Sequence, residues 1–261
     1  MAYDTILFEK ANGVARVTLS RPASLNALNT SLAQELLDAI VRCHSDSEAR
    51  VVVITGAGRA FSSGGDVKAM AQSSDPSATL RLLTGIFHSA FANITRLPKP
   101  VIAGVNGAVA GAGMGLVMAC DLAIASEKAK FTVAFNAVAL SPDGGTTYFL
   151  PRYVGLKKAM DLTMSNRALT AMEACDLGLV NEVVPDHEFA GRLDDLATKL
   201  AQGPTVAFGR TKQLFYRGLG ETLETHMESE RHSVSDCGLT ADFREAVQAF
   251  VEKRAPKFEG R

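Results

Sequence analysis

The chain has 261 residues, 47% of them hydrophobic and 21% charged, and its 27 basic and 28 acidic side chains leave a formal net charge of −1. That composition is too apolar for a disordered chain, and its balanced charge gives no field for gripping a phosphate backbone, so nucleic acid is not expected as a partner. The N-terminus lacks an apolar signal core, no run of about 18 apolar residues occurs, and Cys43, Cys120, Cys175 and Cys237 form no CxxC pair; the expectation is a cytoplasmic protein without membrane attachment and with reduced core thiols.

Ile6 and Phe8, then Val14, Arg16 and Thr18, alternate on either side of Asn12-Gly13, the pattern of a β-hairpin. Leu32, Leu36, Ile40 and Cys43 recur at helical spacing and predict an amphipathic helix from about 30 to 44, with Thr30 or Ser31 available as its cap. The unbroken β-branched run Val51-Val52-Val53-Ile54-Thr55 predicts a strand buried on both faces. Strand, glycine loop and helix come again at Val101–Val105, 106–115 and on to about Cys120, with a further short strand at Leu122–Ala125. Such repetition predicts an α/β fold with crossover connections. Beyond about Leu193 the pattern is helical only, which divides the chain into a core of residues 1–192 and a helical region of 193–261 whose apolar residues pack on that core or on neighbouring subunits.

Three small-residue segments come after predicted strands. In Ala60-Phe61-Ser62-Ser63-Gly64-Gly65-Asp66-Val67-Lys68 a ligand can approach the backbone at a helix start, the setting of an anion or oxyanion site; read alone, the same residues make a tight turn. Asn106-Gly107-Ala108-Val109-Ala110-Gly111-Ala112-Gly113-Met114-Gly115 runs GxGxG and does not meet the GxGxxG spacing of a dinucleotide site, although Glu127 lies where a ribose contact keeps a nicotinamide oxidoreductase as a rival. In Ser141-Pro142-Asp143-Gly144-Gly145 the acid reads, by itself, as a turn or N-cap residue. The histidines His44, His88, His187, His226 and His232 form no HxxxH or HExxH pair, and no GxSxG elbow occurs, so neither metal nor serine hydrolase chemistry has support.

Taken in order, Arg21-Pro22, Asn26-Ala27-Leu28, Thr55-Gly56, Phe61-Ser62-Ser63-Gly64-Gly65-Asp66, Lys99-Pro100-Val101, Asn106-Gly107, Cys120-Asp121 and Phe250-Val251-Glu252-Lys253-Arg254 resemble the crotonase family, also called the enoyl-CoA hydratase/isomerase superfamily, over nearly the whole chain. The resemblance implies a spiral of ββα turns with a C-terminal helical trimerisation region, a homotrimer or dimer of trimers, and acyl-CoA thioester substrates. It implies no metal or redox cofactor, coenzyme A entering only as part of the substrate. By the same resemblance the N–H groups of Gly65 and Ala112 hold the thioester oxygen, where preorganised donors stabilise an enolate by about 3–4 kcal/mol each. The coenzyme A is expected past Ala23, Ala27, Ser63, Gly64, Asp66, Val67, Lys68 and Gly111, with Phe250 and Lys253 closing over it. Ala23 stands where hydratases often carry a lysine.

Departures from the hydratase pattern decide the expected reaction. The two glutamates that hold and activate water in a typical hydratase are replaced by Gly115 and Phe135, neither of which can carry a proton. Asp143 occupies the position at which members resembling Δ3,Δ2-enoyl-CoA isomerases and epoxyphenylacetyl-CoA isomerases have their catalytic acid. One carboxylate suffices to move a proton from C2 to C4 of a 3-enoyl thioester, and an apolar wall of Phe135, Phe91 and Phe87 would raise its pKa toward the working range. His88 stands twelve residues before Pro100, where the 4-chlorobenzoyl-CoA dehalogenase branch has its base. That branch also carries a tryptophan at the Phe135 position, and this chain has none. His88 therefore stays a second candidate, lining the acyl pocket formed by about Gln72 to Phe91. The expected activity is enoyl-CoA isomerisation; the alternatives are an unusual hydratase, a dehalogenase-like enzyme and a non-catalytic acyl-CoA binder.

Overall fold

The computed structural model describes residues 3–261. The chain opens with β1 (Ile6–Ala11) and β2 (Val14–Leu19), paired antiparallel in register from Ile6 opposite Leu19 to Ala11 opposite Val14. Asn12 and Gly13 have φ of 51° and 81°, so both turn residues are left-handed and the turn twist matches that of the strands. Helix α1 (Thr30–Ser45) comes next, capped by Asn29, whose side chain accepts the Leu32 N–H at 2.9 Å. The cap thus lies one residue before the two expected, because Asn29 is the extended residue whose oxygen reaches the N–H three positions on.

From there the chain repeats one unit. A first strand enters a large sheet, a second, shorter strand enters a small one, and helix comes after. The pairs are β3 (Val51–Gly56) with β4 (Ala60–Ser62), β5 (Val101–Val105) with β6 (Ala108–Ala110), and β7 (Leu122–Ser126) with β8 (Lys130–Thr132). Helices α2 (Val67–Ala71) and α3 (Pro76–Arg96) succeed the first pair, and α4 (Ala112–Ala119) the second. After the third come a 3-10 turn at Phe135–Val138 and helices α5 (Thr146–Val154) and α6 (Leu156–Ser165). Strand β9 (Leu169–Thr170), α7 (Ala171–Asp176) and β10 (Glu182–Val184) lead to α8 (Phe189–Ala201), α9 (Thr205–Gly218), α10 (Leu223–Gly238) and α11 (Ala241–Val251). The large sheet has the order β1-β2-β3-β5-β7-β10, parallel from β2 onward, and the small one β4-β6-β8-β9, parallel through β8.

The β3 side chains show why its run is unbroken. Val52 and Ile54 point into the main core with α1 and α3, while Val51 and Val53 point the other way and meet Ile102, Leu193, Ala197 and Ala201. Helix α8 therefore covers the second sheet face. Gly104 admits it, since a Cβ there would stand 2.4 Å from Leu193 Cδ2. The boundary at 192/193 falls inside this helix, which packs on the sheet; within 193–261 the large apolar side chains left exposed begin at Phe215 on α9 and continue through Val251. Cys43 and Cys120 are buried thiols, whereas Cys175 and Cys237 are only partly covered and so depart from the expected core placement. No helix among the described residues is long and apolar enough to cross a membrane.

Candidate active site

The small sheet explains how distant segments meet. Ser62 pairs with Val109, and Val109 with Phe131, so three parallel neighbours deliver their C-terminal ends side by side. Strand β4 leads into Ser63–Asp66, β6 into Gly111–Ala112, and β8 into Val133–Phe135. The first two are the expected oxyanion segments, and the third ends at a residue that stands in place of a hydratase glutamate.

In the first segment, Leu28 N–H donates to Gly64 O at 2.7 Å and Asp66 N–H donates to Leu28 O at 3.0 Å. A parallel bridge of this kind uses the residues on either side of Gly65 and turns its own N–H away from Leu28. Ala112 is the first residue of α4, where N–H groups have no intrahelical acceptor and the helix dipole is positive. Neither N–H is taken by a protein acceptor among the described residues. The two segments touch closely. Gly64 has φ +86°, and a Cβ on it would lie 2.7 Å from Ala110 O and 3.1 Å from Ala112 N. Gly113 likewise lets α4 approach β4, because a Cβ there would stand 2.6 Å from Ser62 O.

Phe135 is buried, and its Cζ would lie 3.9 Å from a Cβ on Gly111. The Pro142–Gly145 turn comes over the top of α4: a Cβ on Gly144 would meet Phe91 Cε2 at 3.2 Å and Ala112 at 3.6 Å. Gly115 now has a physical reason, since a Cβ there would stand 2.1 Å from Gly144 O. The position that holds a glutamate in the hydratase pattern is here roofed by backbone.

The isolated motif suggests that Asp143 caps or closes its turn, and its carboxylate does neither. The turn is closed by backbone, Thr146 N–H donating to Asp143 O at 2.9 Å, and Asp143 Oδ1 is buried without a protein partner, as is Thr146 Oγ1 in the same turn. Burial away from water pushes the carboxyl up to about 6. Phe87 and Phe91 stand 5.5 Å apart at the α3 side of the turn. His88, beside them, receives the Gly144 N–H on Nε2 at 3.0 Å, and desolvation holds its pKa below the ordinary histidine range. A cavity of about 510 Å³ borders this turn, lined among others by His88, Phe91, Tyr148 and Tyr216.

The coenzyme A candidates sort by what their side chains do. Ser63 N–H donates to Leu25 O at 2.9 Å, which joins the segment containing Ala23 and Ala27 to the glycine loop. Val67 and Lys68 are exposed on α2. Asp66 is committed to the fold: its carboxylate caps α2 at Ala69 N–H and accepts from Arg21 Nη2 at 3.0 Å, while Arg21 Nη1 donates to Ala27 O. Phe250, 85% exposed, and Lys253 do not join this cluster; α11 packs on α10, and the tail beyond it runs to Arg50, which donates to Phe258 O at the opposite end of β3.

Two residues that hold the loops carry no sign of that role in the sequence. Buried Asn26 donates to Ala57 O and Ala60 O and accepts the Arg21 N–H, and Asn106 accepts the Gly56 N–H while donating to Gly58 O. Both stand in motifs of the crotonase pattern, but their loop partners lie 31 to 50 positions away along the chain, beyond the reach of local pattern. Among the described residues no group of His, Cys, Asp and Glu is arranged to hold a metal ion.

The family model for enoyl-CoA hydratase/isomerase matches residues 9–261. A probable enoyl-CoA hydratase of Rhodobacter capsulatus is 42% identical with both chains covered to 100%, and the 1,2-epoxyphenylacetyl-CoA isomerase of Escherichia coli is 36% identical with 98% of each covered. The crystal structure of an enoyl-CoA hydratase from Bacillus anthracis superposes with a TM-score of 0.94 at 32% identity, over 99% of this chain and 100% of that one. The fold and paired glycine segments are thus those of a crotonase-type enzyme. The chain belongs to the enoyl-CoA hydratase/isomerase family.

Proposed function

We propose that this member is an isomerase that shifts the double bond of an enoyl-CoA thioester, with Asp143 as its acid/base and the Gly65 and Ala112 N–H groups as its oxyanion hole. The observation that carries the reading is the Asp143 carboxyl: half-buried, with Oδ1 buried and without a protein partner, raised to about 6, and set on a turn that lies against Ala112. Asp143 takes a proton from C2 of a 3-enoyl thioester, the electron pair moves into a dienolate whose oxygen is held by the two N–H groups, and Asp143 returns the proton at C4. No water enters the balance.

Hydration needs a second proton-carrying group on water, and the absence of a titratable side chain at Gly115 and Phe135 argues against it. Dehalogenation needs a free histidine nitrogen as base, and His88 Nε2 is already an acceptor for Gly144. Loss of the Asp143 charge also separates an enzyme from a plain acyl-CoA binder. Purified protein on a 3-enoyl-CoA should form the conjugated thioester chromophore and hydrate the matching 2-enoyl-CoA poorly. Asp143→Asn should lower kcat for the first reaction by at least about 100-fold with substrate affinity nearly intact. Unchanged turnover would remove Asp143 from the mechanism.

The reading extends to assembly and to the coenzyme. Ala23, Ala27, Ser63, Val67, Lys68 and Gly111 would follow the pantetheine and adenine, and a homotrimer or dimer of trimers would cover the exposed Phe215, Leu223, Val234, Leu239 and Phe250.

A further inference from the structure

Pro142–Gly145 carries the proposed acid/base, and Gly144 and Gly145 have φ of 59° and 74° with no side chains of their own to hold them. Among the described residues, one hydrogen bond joins these four residues to an element other than the α5 they lead into: Gly144 N–H to His88 Nε2 at 3.0 Å. A ring nitrogen that accepts cannot carry a proton, so the imidazole is the neutral Nδ1–H tautomer. Its plane is fixed by Phe87, whose ring meets it edge-on at 4.9 Å and 88°.

We propose that His88 is a positioning residue: by accepting the Gly144 N–H it holds the turn so that the Asp143 carboxylate is presented beside Ala112. This rests on the acid/base reading of Asp143. The role requires an uncharged ring, because an imidazolium would set a second N–H against that of Gly144, and desolvation favours the neutral form. The titratable and charged groups that line the cavity with the ring are Arg96 on its own helix, Tyr148 on α5 and Tyr216 on α9, and Asp143 directly precedes the Gly144 to which the ring is hydrogen-bonded. Lowering the pH should therefore remove two things together, the base form of Asp143 and the acceptor that positions it.

The test pairs two variants with a direct look at the ring. Nitrogen NMR of histidine-labelled full-length protein near neutral pH should show His88 as the Nδ1–H tautomer; an Nε2–H tautomer or an imidazolium there would overturn the proposal. His88→Leu should lower kcat on a 3-enoyl-CoA by about 10–100-fold with KM within about threefold, as expected when a reacting group is misplaced without loss of binding. His88→Gln, whose Oε1 reaches about as far as Nε2, should recover most of that loss, and its acid limb should fall with one proton where the wild type approaches two. A Gln variant as slow as the Leu variant, or a Leu variant as fast as the wild type, would refute the acceptor role. Hydrogen exchange at the Gly144 amide, faster in His88→Leu and retained in His88→Gln, reads the same bond without activity. If Asp143→Asn keeps its turnover while that exchange pattern holds, the acid/base reading has failed and the turn contact has not.

Discussion

Asp143 shows how a single side chain trades stability for chemistry. A carboxyl raised from its ordinary value to about 6 by burial is costly to ionise in the folded state. Because the folded value lies above the unfolded one, the cost is absent below the unfolded value, grows as pH rises to about 6, and is constant above it. With one side of the residue open to water, that cost is about 1–2 kcal/mol at neutral pH. Asp143→Asn should therefore raise the melting temperature at pH 7 by a few degrees in a scanning experiment while abolishing isomerisation, and the gain should vanish near pH 4. Activity has the opposite sign. The base form is lost as pH falls through about 6, so kcat/KM should drop about tenfold per pH unit just below that point and more steeply at lower pH, where His88 takes up its own proton.

At the scale of the element, α4 decides which chemistry the fold can host. All eight of its residues are buried, and its two interior glycines each cost about 1 kcal/mol of helix propensity relative to alanine. The compensation is close approach: Gly113 admits Ser62 O and Gly115 admits Gly144 O. A glutamate at Gly115 would have to displace the backbone of the very turn that bears Asp143. Gly115→Glu should thus fail to create a hydratase. Even Gly115→Ala should destabilise the protein by about 1–3 kcal/mol and slow isomerisation, measured by urea unfolding and by the 3-enoyl-CoA assay on the same preparation. A stable, active Gly115→Ala enzyme would show that the turn can lift from α4.

Across the whole molecule, the C-terminal helices are tied to the spiral by buried charge as well as by apolar contact. Lys212 on α9 donates to Asp121 Oδ2 at 2.8 Å and to Ile94 O at 2.6 Å, and Asp121 also accepts the Val101 N–H at 2.7 Å. Burial pushes the Asp121 carboxyl up and the Lys212 ammonium down despite their attraction. The pair therefore fixes geometry more than it stabilises, but leaving either charge alone is expensive. Lys212→Met should lower stability by about 3–5 kcal/mol, seen as a lower urea midpoint with the unfolding slope unchanged. A second tether, Arg50 to Thr205 Oγ1, Gly203 O and Phe258 O, anchors the start of α9 and the chain terminus to the beginning of β3.

The sequence by itself determined everything whose signal is local or carried by an ordered set of motifs. The hairpin, α1, the two-faced β3 and the glycine segments are legible because period, turn residues and β-branched runs act within a few positions. The family and the odd standing of Gly115, Phe135 and Asp143 are read from motifs in order. Only the tertiary structure decided the rest. Strands β4, β6 and β8 are three residues each and carry no period of their own, yet their parallel pairing is what sets Gly65, Ala112 and Phe135 at one edge. Asp66, expected along the coenzyme A, turns its carboxylate to the α2 cap and Arg21; His88, a second candidate expected to line the acyl pocket, is an acceptor for Gly144, 56 positions away. The reason is common to all of these. A side chain's chemistry depends on which backbone groups and how much water surround it, and those are fixed by contacts between segments far apart in the chain.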